Sequence, residues 1–301
     1  MTTDPASIVF FLSLLIEGAL AGAIYALIAL AFVLIYKASR MITFAIGECV
    51  MFGALLAGTG MHAMGLSLIG ATLFACVGMA AFGLAFNAAV VRRLVTGPAI
   101  TLIMVTLGLG ALMRGAAPLV FVGVPTAITL QMPADPIMIH GVPVPPDKLA
   151  AALIAGFCVA VFIWFYERTR TGIALRAICD DQQAALAAGI DAHRHFALVW
   201  ALTGVISAIA GVLWTVVAGS GFGVALVGLK VFPIVIIGGL DSVIGVMVGA
   251  MLIGVFESLG AGYVDPSVGA GFGTVASYLL LIGMLLVRPY GLFGRPPAVH
   301  L

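Results

Sequence analysis

Eight long apolar runs, at 8–36, 42–61, 66–91, 99–121, 149–166, 196–218, 242–262 and 272–288, dominate the pattern of this 301-residue chain. Crossing about 30 Å of hydrocarbon takes about 20 helical residues, so each run predicts a transmembrane helix. A ninth stretch, 224–240, is short and carries Lys230, Pro233 and the pair Gly238-Gly239. It reads equally as a kinked full span or as a broken, re-entrant helix. The second form is tolerated at membrane depth only where protein or a water-filled cavity surrounds the irregular backbone. The expected fold is all-α, a polytopic transmembrane helix bundle of about 8–9 spans.

Two polar stretches interrupt the apolar pattern. The first, 122–148, holds six prolines and a candidate hairpin, Ile137-Met138-Ile139-His140-Gly141-Val142, whose turn would use Gly141. The second, 167–195, carries eight of the chain's 25 charged side chains and has helical spacing in its middle. With the N-terminus outside and 224–240 counted as a crossing, ten of thirteen basic residues fall on one side: Lys37, Arg40, Arg92, Arg93, Arg168, Arg170, Arg176, Arg194, Arg288 and Arg295. That side is the cytoplasm by the positive-inside rule. It places 167–195 inside and 122–148 outside.

Composition agrees with a bilayer as solvent, since 63% of residues are hydrophobic and 8% charged. Ordinary soluble domains run at roughly 45–50% and about 25%. A net charge of +1 with scattered basic residues argues against a nucleic-acid partner. The start, Met1-Thr2-Thr3-Asp4-Pro5, lacks the basic region and cleavage site of a signal peptide, so the first run is expected to stay as a span. Small residues recur four apart in Gly18/Gly22, Gly245/Gly249 and Ala250/Gly254. Such spacing lets helix backbones approach closely, which is how membrane helices pack. No repeat or linker divides the chain, so residues 1–301 read as one membrane domain.

Glu17, Glu48, Arg114, Lys230 and Glu257 lie within or at the edges of apolar runs. A charge at bilayer depth must face the bundle interior and find a partner. The topology above puts Glu17, Arg114, Lys230 and Glu257 in the outer half, two of each sign, where they either pair with one another or line a polar path. Glu48, eight residues past Arg40, is expected near the inner side as a gate or elbow residue. It either holds 42–61 in register against Tyr25 or a polar backbone opening, or snorkels to the surface beside Arg40.

No catalytic constellation appears. G-x-x-x-x-G-K-[ST] is absent, and the glycine-rich stretches 219–223 and 269–273 lack the lysine and strand of a phosphate loop. No G-x-S-x-G elbow, H-E-x-x-H or C-x-x-C occurs, so no metal site is expected, and Cys49, Cys76, Cys158 and Cys179 read as packing residues. Any nucleotide chemistry must come from a partner.

Several stretches, taken in order, carry a family resemblance. They are Tyr25-Ala26-Leu27, Phe44-Ala45 with Glu48, Arg176-Ala177 with Asp180 and Gly189-Ile190, Ala208-Ile209-Ala210-Gly211-Val212-Leu213, Gly238-Gly239-Leu240-Asp241-Ser242, and the closing 288–296. From about residue 14 to Pro296 the chain resembles the inner-membrane permease of branched-chain amino-acid ABC importers. The resemblance implies a permease subunit, not an enzyme, in the bacterial inner membrane. It implies pairing with a second permease, two cytoplasmic ATPase subunits that bind ATP and Mg, and an extracytoplasmic substrate-binding protein. This chain itself would need no cofactor.

In that setting 167–195 becomes the ATPase-coupling segment. Arg176, Ala177, Asp180 and Asp181 would sit on a short helix that Gly189 ends. Glu48, Tyr25, Thr43, Glu17 and Arg114 become residues of the translocation path or its gate. Thr43 and Ile46 stand where the family usually has Asn and His ahead of the glutamate. The family also serves urea, short amides and small organic acids, so those solutes stand beside branched-chain amino acids. An ion-coupled secondary transporter is the competing class. It needs carboxylates deep in the bundle, for which Glu48 and Glu17 qualify.

Overall fold

Every expected apolar run is built into a helix. The computed structural model describes residues 5–94, 98–123, 125, 128, 135–139, 141–180, 182–219, 221–269, 271–288 and 291–294. Helices α1 (Pro5–Ser39), α2 (Ile46–His62), α3 (Leu68–Phe86), α4 (Arg92–Leu94) and α5 (Ala99–Val120) come first, with a π-helical turn at Asn87–Val91 joining α3 to α4. Strands β1 (Ile137–Ile139) and β2 (Val142–Val144) follow, then α6 (Pro146–Arg168), α7 (Arg170–Asp180), α8 (Gln182–Ala187) and α9 (Ala192–Ala218). A 3-10 turn at Phe222–Leu226 leads into α10 (Val227–Gly238), and α11 (Val243–Tyr263), α12 (Asp265–Val268) and α13 (Phe272–Val287) complete the order.

The molecule is a polytopic helical bundle. Among the described residues, six helices are long and apolar enough to cross a membrane, with shorter apolar helices at Phe222–Gly238 and Phe272–Val287. At about 1.5 Å per residue, α10 is about 18 Å long, short of the hydrocarbon thickness. The stretch 224–240 is built as a 3-10 turn followed by a short helix with Pro233 inside. The hairpin also forms, pairing Ile137 with Val144 and Ile139 with Val142 around Gly141, whose φ is +84°.

The chain divides into two compact units. Unit 1 comprises Met1–Ala29, Leu130–Gly156 and Lys230–Leu301. Its small-residue spacings meet each other. A Cβ on Gly18 would fall 2.6 Å from the Val255 Cα, and one on Gly254 would fall 2.3 Å from the Gly18 carbonyl oxygen. Gly22 likewise faces Ala250, so the α1 and α11 backbones are in direct contact. Gly245 and Gly249 serve the same purpose toward α10, against Gly238 and Ile234. The closing segment then returns to α10, where the Leu292 N–H donates to the Ile237 carbonyl at 2.8 Å.

Unit 2 comprises Leu30–Thr129 and Phe157–Leu229. Twelve of the 17 residues of α2 are buried, which makes α2 the centre of the unit. Helix α9 packs at backbone distance against both α2 and α3. Cβ atoms on Gly53, Gly204 and Gly211 would meet the Ala208 Cα at 2.4 Å, the Met79 carbonyl at 2.3 Å and the Val50 carbonyl at 2.2 Å. Cys49, Ala57, Ala75, Met79, Met113 and Val212 fill the core between them. Large apolar side chains instead line outward faces, as Ile69, Leu73 and Val77 do at four-residue spacing on α3. Apolar surface facing outward suits lipid or another membrane subunit.

Candidate translocation and coupling sites

Helix α1 stops where Arg40 takes a φ of +54°, and the chain through Ala45 is not helical. Helix α2 then starts at Ile46, with no side-chain cap from Ala45. Irregular backbone inside an apolar bundle must find partners in protein. Part of that demand is met by α5, where the Phe44 N–H donates to Thr106 Oγ1 at 3.4 Å. The second irregular stretch reaches the same place. A Cβ on Gly47 would meet the Ala225 carbonyl oxygen at 2.1 Å, so the 3-10 turn lies directly on the first turn of α2. Both breaks in regular helix therefore converge beside the middle of α5.

Glu48 sits at this junction. Its carboxylate is 4% exposed and accepts a hydrogen bond from Arg114 Nη2, closing an ion pair with a guanidinium side chain that is 59% exposed. Gly110 makes the approach feasible, because a Cβ there would stand 3.3 Å from the Glu48 carboxyl carbon. Glu48 and Arg114 were expected in opposite halves of the membrane, and the ion pair puts them at one depth. Depth counted in residues fails here because the chain between Arg40 and Ala45 does not advance as a helix. Thr43 is buried close by, and its hydroxyl has no hydrogen-bond partner among the described residues. An arginine facing hydrocarbon costs about 2.5–3.5 kcal/mol on the insertion scale. That cost favours protein or water over lipid at the open side of Arg114.

A second polar cluster belongs to unit 1. Lys230 pairs with Glu257 and also donates to the Tyr25 hydroxyl at 2.9 Å, while that hydroxyl donates to Glu257 Oε2 at 2.8 Å. The two charged side chains are 17% and 18% exposed. The expected pairing of Lys230 with an outer-half acid is thus present, with Tyr25 as its third member. Glu17 takes Lys148 at the start of α6, a partner that run-by-run reading missed. Among the described residues, no group of His, Cys, Asp and Glu side chains converges as a metal site.

The polar segment forms two short helices, α7 and α8. Asp181, between them, lies outside the described residues. Arg176 turns back toward the membrane end of α6, where it donates to the Glu167 carbonyl at 3.1 Å and lies 5.7 Å from the Tyr166 ring centre. Lys37 approaches the same ring at 4.9 Å, and the Cys179 thiol donates to the Lys37 carbonyl. Burial pushes that thiol above its usual range. Nothing in the spacing of Cys179 announced this contact. Asp180 is exposed and Ala177 half-buried. Gly189 ends α8 at a φ of +83°, with the Ile190 N–H bonded to the Ala185 carbonyl at 3.0 Å. Asp191 then caps α9 by accepting from the His193 and Arg194 N–H groups, which holds its carboxyl below the usual range.

A multi-helix membrane protein with converging helix breaks and a charged segment between spans has the anatomy of a transport subunit. Residues 14–288 match the model of the permease component of the branched-chain amino acid transport system. The chain belongs to that family, and it is a membrane permease, not an enzyme. It is 29% identical to the high-affinity branched-chain amino acid transport system permease protein BraD of Pseudomonas aeruginosa, over 95% of this chain and 96% of that one. The Escherichia coli permease LivH is 25% identical over the same shares. A probable permease of the same kind from Methanocaldococcus jannaschii is 33% identical over 45% of this chain and 44% of its own.

Proposed function

We propose that this chain is the permease subunit of an ATP-driven importer in the inner membrane, acting as one membrane domain. It pairs with a second permease, is driven by two ATPase subunits on the cytoplasmic side, and takes its solute from an extracytoplasmic binding protein. The solute is a branched-chain amino acid or a related small polar molecule, by analogy with the named transport systems of the relatives. The observation that carries the reading is the convergence of 40–45, the 3-10 turn and Glu48–Arg114 at the middle of α5, since broken helices at membrane depth are where transported solutes pass. Thr43, Glu48 and Arg114 are its path residues. Tyr25 and Glu17 belong to polar pairs within unit 1.

The coupling surface is the exposed side of α7 and α8, centred on Asp180, with Ala177 and Asp181 on the same segment. Arg176 acts differently, fastening α7 to the end of α6. Uptake of labelled leucine by proteoliposomes holding the full set of subunits tests the assignment. Uptake should require hydrolysable ATP inside the vesicle-equivalent of the cytoplasm. Uptake that persists without ATP and follows an imposed proton or sodium gradient would replace it with ion-coupled transport.

A further inference from the structure

We propose that Arg114 binds the carboxylate of the transported solute, with Glu48 as the residue that positions it. The inference deepens the permease reading and rests on it. Its basis is the asymmetry of the ion pair. Glu48 is almost wholly shielded, while most of the Arg114 side chain is open. A guanidinium carries five N–H donors in a planar fork. Among the described residues Arg114 donates to Glu48, through Nη2. The side chain that carries the remaining donors is 59% exposed.

The surroundings add a further donor. The Thr43 hydroxyl is buried and without a partner among the described residues. A fork and a hydroxyl suit an anion, and a planar carboxylate suits the fork best. Glu48 then has a second consequence. By neutralising the guanidinium it weakens the grip on an anion, and a transit site must bind strongly enough to admit and weakly enough to release. Urea and short amides have no carboxylate to offer. The site therefore selects solutes that carry a carboxylate.

The test compares Arg114→Gln, Arg114→Lys and the double variant Glu48→Gln/Arg114→Gln in the complete importer, at matched membrane levels. Leucine uptake should fall about tenfold or more in Arg114→Gln, the scale of one lost charge-assisted contact, and Arg114→Lys should recover part of it. The double variant restores charge balance without restoring the fork, so it should stay defective. Recovery of near-native uptake in the double variant would overturn the inference and leave Arg114 as a neutraliser of Glu48. An acidic side chain of the second permease could supply the same carboxylate. In that case Arg114→Gln would separate the two permeases in detergent, and that result also overturns solute binding. Robust wild-type uptake of urea or acetamide, unchanged in Arg114→Gln, would overturn the carboxylate assignment while the permease reading stands. Absence of ATP-dependent uptake of any of these solutes by the wild type would instead remove the permease reading itself.

Discussion

Two of the ion pairs among the described residues, Lys230–Glu257 and Arg114–Glu48, are built from the same chemistry and finished differently. In unit 1, Lys230 and Glu257 are shielded to the same degree and share Tyr25 between them. In unit 2, Glu48 is shielded and Arg114 is open. A closed triad satisfies its own donors and acceptors and has little left to give a ligand. An open pair keeps donors in reserve. Charge at membrane depth therefore teaches little about role until the exposure of each partner is known.

The largest effect should come from breaking the closed triad from one side. Glu257→Leu leaves the Lys230 ammonium without its anion, and removing one partner of a buried pair costs about 3–5 kcal/mol. The partial exposure of this pair places the loss at the low end of that range. Thermal unfolding of the purified chain in detergent measures it, and Lys230→Met added to Glu257→Leu should return most of the loss. If Glu48→Gln, which leaves only the open Arg114 without its partner, lowered the unfolding temperature as far as Glu257→Leu, the distinction between closed and open pairs would be lost.

Next in size is the helix contact that supports the triad. Gly254→Val puts side-chain atoms where the Gly18 carbonyl oxygen already lies, and overpacking of this kind costs about 1–3 kcal/mol. Gly115→Ala, placed in open space on α5, should stay within about 0.5 kcal/mol of wild type in the same melting experiment. Equal losses at the two glycines would mean that the tight approach of α1 and α11 carries no special weight.

Gly189→Leu forces a branched side chain into a left-handed backbone position, at a local cost of about 1–2 kcal/mol. Expression should hold while ATP-driven uptake falls, because the strain falls on α8 and the turn into α9 rather than on the bundle. Full uptake by a well-expressed Gly189→Leu chain would remove the coupling role from this segment. The smallest effect belongs to Tyr25→Phe, which deletes one shared hydroxyl from the closed triad at about 1 kcal/mol. Double-mutant melting with Glu257→Leu should show that the two losses do not add.

Much of this arrangement was legible before any coordinates. The small residues at Gly18/Gly22 and Ala250/Gly254 signalled a close helix pair, and they pack on each other. The three basic residues that break the inside rule are Arg114, Lys148 and Lys230, and each is the cation of a membrane-face ion pair with Glu48, Glu17 or Glu257. An off-side cation was thus a readable signal of pairing. Which acid each would take was not readable, because the choice depends on Gly110 giving room to Glu48 and on the unwound stretch 40–45. The anchoring of α7 was hidden for a similar reason. Lys37, Tyr166 and Cys179 come together only through the packing of three chain segments.

The most direct test of the contrast uses two charge-free double variants, Lys230→Met/Glu257→Leu and Glu48→Gln/Arg114→Gln, measured for unfolding temperature and for leucine uptake in the complete importer. The account predicts that both keep near-native stability. It predicts substantial uptake from the unit 1 double variant and about a tenfold or greater loss from the unit 2 double variant. Equal, near-native uptake from both would show that the two pairs do the same structural job and would contradict the account.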